Sequence, residues 1–113
     1  MVARAGGDPE AVRGEHVTSA AAAGDPGARI VMDRFAWWVA LGVANLVNVL
    51  DSEVVVLGGG LVEAGPLLLD PVNRAYGELV MGADHRDPVP IVAAQLGERA
   101  GAWGAALLAA ART

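Results

Sequence analysis

The 113-residue sequence predicts an α/β fold built on a small parallel sheet. Two runs carry that expectation: Glu53-Val54-Val55-Val56-Leu57 and Val89-Pro90-Ile91-Val92-Ala93-Ala94 are short, apolar and rich in β-branched residues. A strand without polar alternation reads as covered on both faces, the habit of parallel sheets. A helical segment separates the two runs, and strand–helix–strand units in one sheet cross over right-handedly between parallel neighbours. The length matches a single hydrophobic core.

Taken in order, residues 1 to 10 are rich in glycine and small side chains and read as a flexible lead-in. Residues 11 to 113 form the folded remainder. A first helix is expected over 11 to 23, from Ala11, Val12, His16, Val17 and the run Ala20 to Ala23, with Gly24 as its C-cap. Asp25-Pro26 then supplies an N-cap and a proline at the first helical position, where its missing N–H costs nothing. The helix that follows runs to about Leu50. Ile30, Val31, Arg34, Trp38, Leu41, Asn45 and Val49 recur every three or four residues, so this stripe is the expected buried face, with Trp38 and Leu41 in the core. Gly42 inside it suggests the close passage of another backbone. Asp51-Ser52 breaks the helix before the first strand.

The first strand ends in Gly58-Gly59-Gly60, and a helix from Leu67 to about Leu79 follows, with Pro71 as an irregularity. Residues 82 to 87 are polar. After the second strand, Glu98 to Ala111 makes an Ala-rich helix in which Gly101 and Gly104 leave one face free for close packing. Two strands alone are a marginal sheet, so more sheet from a longer parent chain or a partner subunit is expected at their edges.

Composition excludes several functions. The net charge of −5 and the absence of a basic cluster argue against nucleic acid and against an anionic membrane surface. The sequence has no lysine, so neither a Walker A lysine nor a Schiff-base lysine is available. Without cysteine there is no thiolate nucleophile and no Cys-ligated zinc. The first residues lack the apolar core of a signal peptide, and charge, Asn or Gly breaks the apolar stretches before membrane-spanning length. A cytoplasmic location is the default.

The chemistry-bearing feature is the glycine run. Glycines at the carboxyl end of a parallel strand let a ligand approach the backbone, and ligands of open α/β sheets gather there. The same residues also serve a plain tight turn, and pattern alone leaves both readings open. The dinucleotide fingerprint fails, because its third glycine position is Glu63. His16 and His85 have no second ligand at zinc spacing, so they read as surface or helix-end residues and no metal site is expected. Asp84, Asp87 and Glu98 read as solvated acids, and Ser19 and Ser52 sit in no nucleophile elbow. Asn45 and Asn48, on an apolar helix that ends before the glycine strand, either satisfy backbone groups or face a ligand, the structural role being the commoner. No catalytic residue is assigned.

The GDP helix start, ANLVNVLD, VVVLGGG and the closing LGERAGAWGAALLA occur in the order found in the ROK family of sugar kinases and sugar-responsive repressors, which the chain resembles over about residues 14 to 110. Within that family the likeness is to glucokinases. Ser52 stands where the family usually has proline. The resemblance implies a partial actin-like, ribonuclease-H-like ATPase domain in helix–helix–strand–helix–strand–helix order, forming the C-terminal portion of the nucleotide-binding domain. It implies that Gly58, Gly59 and Gly60 contact the adenosine of ATP, with Asn45 and Glu63 as neighbours. ATP with Mg²⁺ and a hexose are the implied partners, in a parent expected to be a homo-oligomer. The family's DxGxT phosphate loop, catalytic aspartate, ExGH sugar motif and Cys-rich zinc motif have no counterpart here. The chain is therefore expected to be inactive alone. A sugar-sensing portion of a ROK repressor, or a non-catalytic oligomerisation module, is the alternative; intact glycines favour the kinase.

Overall fold

The computed structural model describes residues 6–112. After a 3-10 turn at Pro9–Ala11 come α1 (Gly14–Ala22), α2 (Pro26–Leu50), β1 (Val55–Leu57), α3 (Pro66–Leu79), β2 (Ile91–Ala93) and α4 (Ala100–Ala111). The order matches the sequence expectation, while the strands are shorter than the β-branched runs that signal them. Residues 1–5 of the expected lead-in lie outside the described residues. In its remainder the Asp8 carboxylate accepts the Glu10 N–H at 3.0 Å and caps the 3-10 turn.

Local chemistry sets the helix ends. The Asp25 carboxylate accepts the Ala28 N–H at 2.8 Å, and Pro26 opens α2 as expected. At the other end Asp51 takes a left-handed conformation (φ 50°, ψ 49°), which asparagine and aspartate tolerate better than other side chains. His16 is the third residue of α1, and its Nδ1 accepts the Arg13 N–H at 2.9 Å; it is a helix-end residue, as its isolation in the sequence suggests. α3 runs continuously through the buried Pro71.

The strands pair in parallel with Val55 opposite Ile91, Val56 opposite Val92 and Leu57 opposite Ala93. Val55 N–H donates to the Pro90 carbonyl at 2.9 Å and Ala94 N–H to the Leu57 carbonyl at 2.8 Å, which extends the ladder by one bond at each end. Proline is tolerated at position 90 because that position contributes a carbonyl rather than an N–H. Ile91 is buried toward α3, whereas Val56 and Val92 point away and are exposed.

The core lies between α2 and α3, with α1 closing one end. Here the structure corrects the sequence reading. The buried residues of α2 are Ala28, Met32, Ala36, Ala40, Val43, Ala44 and Val47. Trp38 is 61% exposed and Leu41 only half-buried, so the stripe expected in the core faces outward. The physical reason is the alanine spacing: a row of small side chains lets α1 and α3 approach the α2 backbone closely, and that proximity decides which face is covered. Gly42 is on the outer side, and a Cβ there would meet nothing within 4 Å, so among the described residues no backbone passes it. Trp37 and Trp38 stack edge to face on each other with centroids 5.0 Å apart.

α2 is long and apolar enough to cross a membrane by length and composition, which the expected breaks had argued against. Core helices pass the same test, and one face of α2 is packed against α1 and α3.

Candidate nucleotide site at the glycine turn

β1 hands the chain directly to the glycines. Gly58 follows the last ladder bond, and a Cβ there would meet Ala94 Cβ at 3.9 Å, an ordinary contact. Gly59 has φ 94° and ψ 173°, a region open essentially only to glycine. Its carbonyl accepts the Val62 N–H at 3.2 Å, starting a 3-10 turn over Gly60–Ala64. Gly65, with φ 59°, then turns the chain into Pro66 at the first position of α3. Gly60 has no left-handed φ, and a Cβ on it would meet nothing within 4 Å. The three glycines therefore divide the work: Gly59 is required by backbone conformation, whereas the lack of a side chain at Gly60 is required by nothing inside the described residues.

Gly60 opens onto a cleft of about 690 Å³. Its walls come from four places: Arg13, Glu15 and Thr18 at the start of α1, Glu63 on the 3-10 turn, Leu67 at the start of α3, and Glu98 just before α4. That volume is within the range of small-molecule sites, about 300–1,000 Å³. The charged groups are three carboxylates against one guanidinium, so the cleft favours donors such as hydroxyl and amino groups over a phosphate chain. α1 lies against the 3-10 turn that follows the glycines, so closely that a Cβ added at Gly14 would come within 3.3 Å of Leu61 Cδ2.

The structure thus brings Glu63 beside Gly60 and leaves Asn45 on the exposed outer face of α2. Asn48 has a structural role: its Oδ1 accepts the Met81 N–H at 3.2 Å and ties the end of α2 to the end of α3. Arg86 of the polar loop pairs with Asp51 at 3.0 Å and holds that loop to the cap of α2. Sequence reasoning missed Arg13, Glu15 and Thr18, because nothing in a helix-forming run shows that it will lie against a turn 45 or so residues later. Among the described residues no three His, Cys, Asp or Glu side chains converge as a metal site.

A family model described as the ROK family matches residues 1–112. The chain belongs to the ROK family. The ROK chain is 37% identical over 109 residues to a glucokinase from Streptomyces coelicolor, covering 96% of its own length and 34% of that protein's. It is 32% identical over 106 residues to a glucokinase from Thermotoga maritima, covering 94% of itself and 33% of the relative. Among solved structures, a ROK family glucokinase from Streptomyces griseus in complex with glucose and AMPPNP superposes with a TM-score of 0.88 at 34% identity, over 95% of this chain and 34% of the other. The fold is accordingly that part of the actin-like ATPase fold, and the chain spans about a third of the length of these three relatives.

Proposed function

We propose that this ROK chain is the adenosine-binding part, and the C-terminal portion, of a cytoplasmic glucokinase-like enzyme that transfers the γ-phosphate of ATP to a hexose hydroxyl. The observation that carries the reading is Gly60 at the mouth of a cleft beside the carboxyl end of β1, where a Cβ would meet nothing within 4 Å among the described residues, so the described fold gives no reason for the missing side chain. It is supported by a relative solved with glucose and an ATP analogue.

In this proposal Gly58 to Gly60 let the backbone approach the adenosine, and Glu63, with Glu15 or Glu98, accepts hydrogen bonds from its hydroxyl or amino groups. The triphosphate extends away from the carboxylates. Phosphoryl transfer needs a base at the sugar hydroxyl and charge stabilisation at the phosphates. In this proposal the base and the phosphate clamps come from the rest of the parent enzyme, and among the described residues no three His, Cys, Asp or Glu side chains converge as a metal site. The proposal therefore expects the chain alone to be inactive.

A coupled assay with glucose, ATP and Mg²⁺ tests both parts. The isolated chain is expected to show no turnover. A chimera in which it replaces the matched third of the Streptomyces coelicolor glucokinase is expected to phosphorylate glucose. Turnover by the purified chain, or a folded chimera that binds glucose but not ATP, refutes the proposal.

A further inference from the structure

α1 begins against the usual preferences of a helix. Its N-cap is Arg13, whose side chain makes no capping bond, at a place where serine, threonine, aspartate or asparagine is favoured. Gly14, a poor helix former, takes the first helical position, and the helix is only 9 residues long, a length that is marginal without help at its ends. His16 supplies that help. It is the third helical residue; its Nδ1 accepts the Arg13 N–H at 2.9 Å, and its own N–H donates to the Arg13 carbonyl at 3.0 Å. Nδ1 accepts only in the neutral imidazole that carries its proton on Nε2. The Thr18 hydroxyl adds a second link by donating to the Glu15 carbonyl at 3.1 Å. The turn stiffened in this way is the one that brings Arg13, Glu15 and Thr18 to the cleft at Gly60, and Arg13 is the sole cation among the described lining residues.

We infer that His16 is a positioning residue of the nucleotide cleft. By capping α1 in place of the N-cap side chain, it fixes the α1 wall and leaves the Arg13 guanidinium to the ligand, where it donates to acceptor atoms of a bound nucleotide such as the ring nitrogens of a purine. This role rests on the nucleotide reading of the cleft and adds to it a residue that does not itself line the cleft. Two observations carry it. A cap chosen for helix stability alone would be short and polar, so arginine at that place breaks a local rule at the edge of a cleft, and such exceptions gather at functional sites. The second is the charge pattern. Glu15, Glu63 and Glu98 present acceptors, so the acceptor side of a nucleotide has one charged donor to meet, and where it binds depends on where Arg13 is held. A planar fork of N–H donors suits that task. On a frayed turn the same fork would lose part of its binding to the entropy of being ordered.

The test uses the chimera that carries this chain in the Streptomyces coelicolor glucokinase. His16→Ala removes the acceptor; it is expected to speed amide exchange at Arg13 and to raise the Michaelis constant for ATP about three- to tenfold, since a wall ordered only part of the time lowers apparent affinity by that fraction. The glucose constant and kcat should stay within about twofold of the parent. His16→Gln, whose amide oxygen can accept the same N–H from the third helical position, is expected to restore both readouts. Asp25→Ala removes the cap of α2 and lines no part of the cleft, so it should lower Tm without moving the ATP constant. Arg13→Gln keeps the backbone link, removes the cation and should raise the ATP constant as His16→Ala does; it decides the matter if His16→Ala does not fold. An unchanged ATP constant in a folded His16→Ala overturns the inference, as does an equal rise in Asp25→Ala or a failure of His16→Gln to restore binding. Gly60→Ala separates this role from the reading beneath it. An ATP constant unmoved by Gly60→Ala but raised by His16→Ala would end the glycine assignment and leave His16 standing, and the reverse would end the inference alone.

Discussion

Replacing Ala36 and Ile30 by lysine in separate variants puts opposite faces of α2 to the test. Ala36 is fully buried in the core cluster, and among the described residues no polar or charged residue is buried there to receive an ammonium. A lysine there either buries an ammonium or prises the helices apart, at a cost of more than about 4 kcal/mol. Domains of this size hold roughly 5–15 kcal/mol in total, so the variant should be largely unfolded or severely destabilised at 25 °C. Ile30 is 68% exposed, so about a third of its burial value is at risk. With full burial of such a side chain worth about 1.5–3 kcal/mol, Ile30→Lys should cost below about 1 kcal/mol. That corresponds to a fall in Tm of no more than about 8 °C. Thermal melts followed by circular dichroism separate the outcomes by a wide margin. If Ile30→Lys unfolds the chain while Ala36→Lys melts like the parent, the large-residue stripe is the packed one and the placement of α2 is wrong.

Three further substitutions probe single interactions. Asp25→Ala removes the carboxylate that caps α2 and should lower stability by about 0.5–2 kcal/mol in urea unfolding, with Asp25→Asn retaining most of it. The Tyr76 hydroxyl is buried without a hydrogen-bond partner among the described residues, so Tyr76→Phe should be neutral or stabilising by up to about 1 kcal/mol; a loss beyond about 1 kcal/mol would reveal a partner for that hydroxyl. Gly59→Val forces a β-branched residue to φ 94° and should lower Tm with or without ligand, whereas Gly60→Ala, with open space and ordinary φ, should leave Tm within about 2 °C.

What the sequence revealed and concealed follows from which forces are local. Asp25-Pro26, Asp51 and the two β-branched runs act on their own neighbourhood, and the helix starts, the helix stop and the parallel pair are where those residues point. The glycine turn was legible for the same reason, since the demand at Gly59 is a backbone angle. The packed face of α2 was not. Hydrophobic periodicity selects Ile30, Trp38 and Leu41 by size, but the covered face is chosen by which row of side chains allows a neighbouring helix closest, and alanine spacing signals this weakly. α4 illustrates the converse: its sequence reads as buried, yet the helices and strands described here do not cover it. The cleft was half visible. Gly60 was marked by its place after β1 and Glu63 by the resemblance to ROK kinases, whereas Arg13, Glu15 and Thr18 reach it only through the docking of α1, a tertiary event with no local signature.

The central claim is that Gly60 is glycine for the sake of a nucleotide. The direct measurement is the Michaelis constant for ATP and for glucose of the Gly60→Ala variant, made in the chimera that carries this chain in the Streptomyces coelicolor glucokinase, with Tm recorded beside both. A methyl group there meets nothing within 4 Å in the described fold, so an effect on binding has no route through stability. The account predicts an ATP constant raised at least tenfold, a glucose constant changed less than twofold and an unaltered Tm. An unchanged ATP constant in a variant that melts with its parent would contradict it.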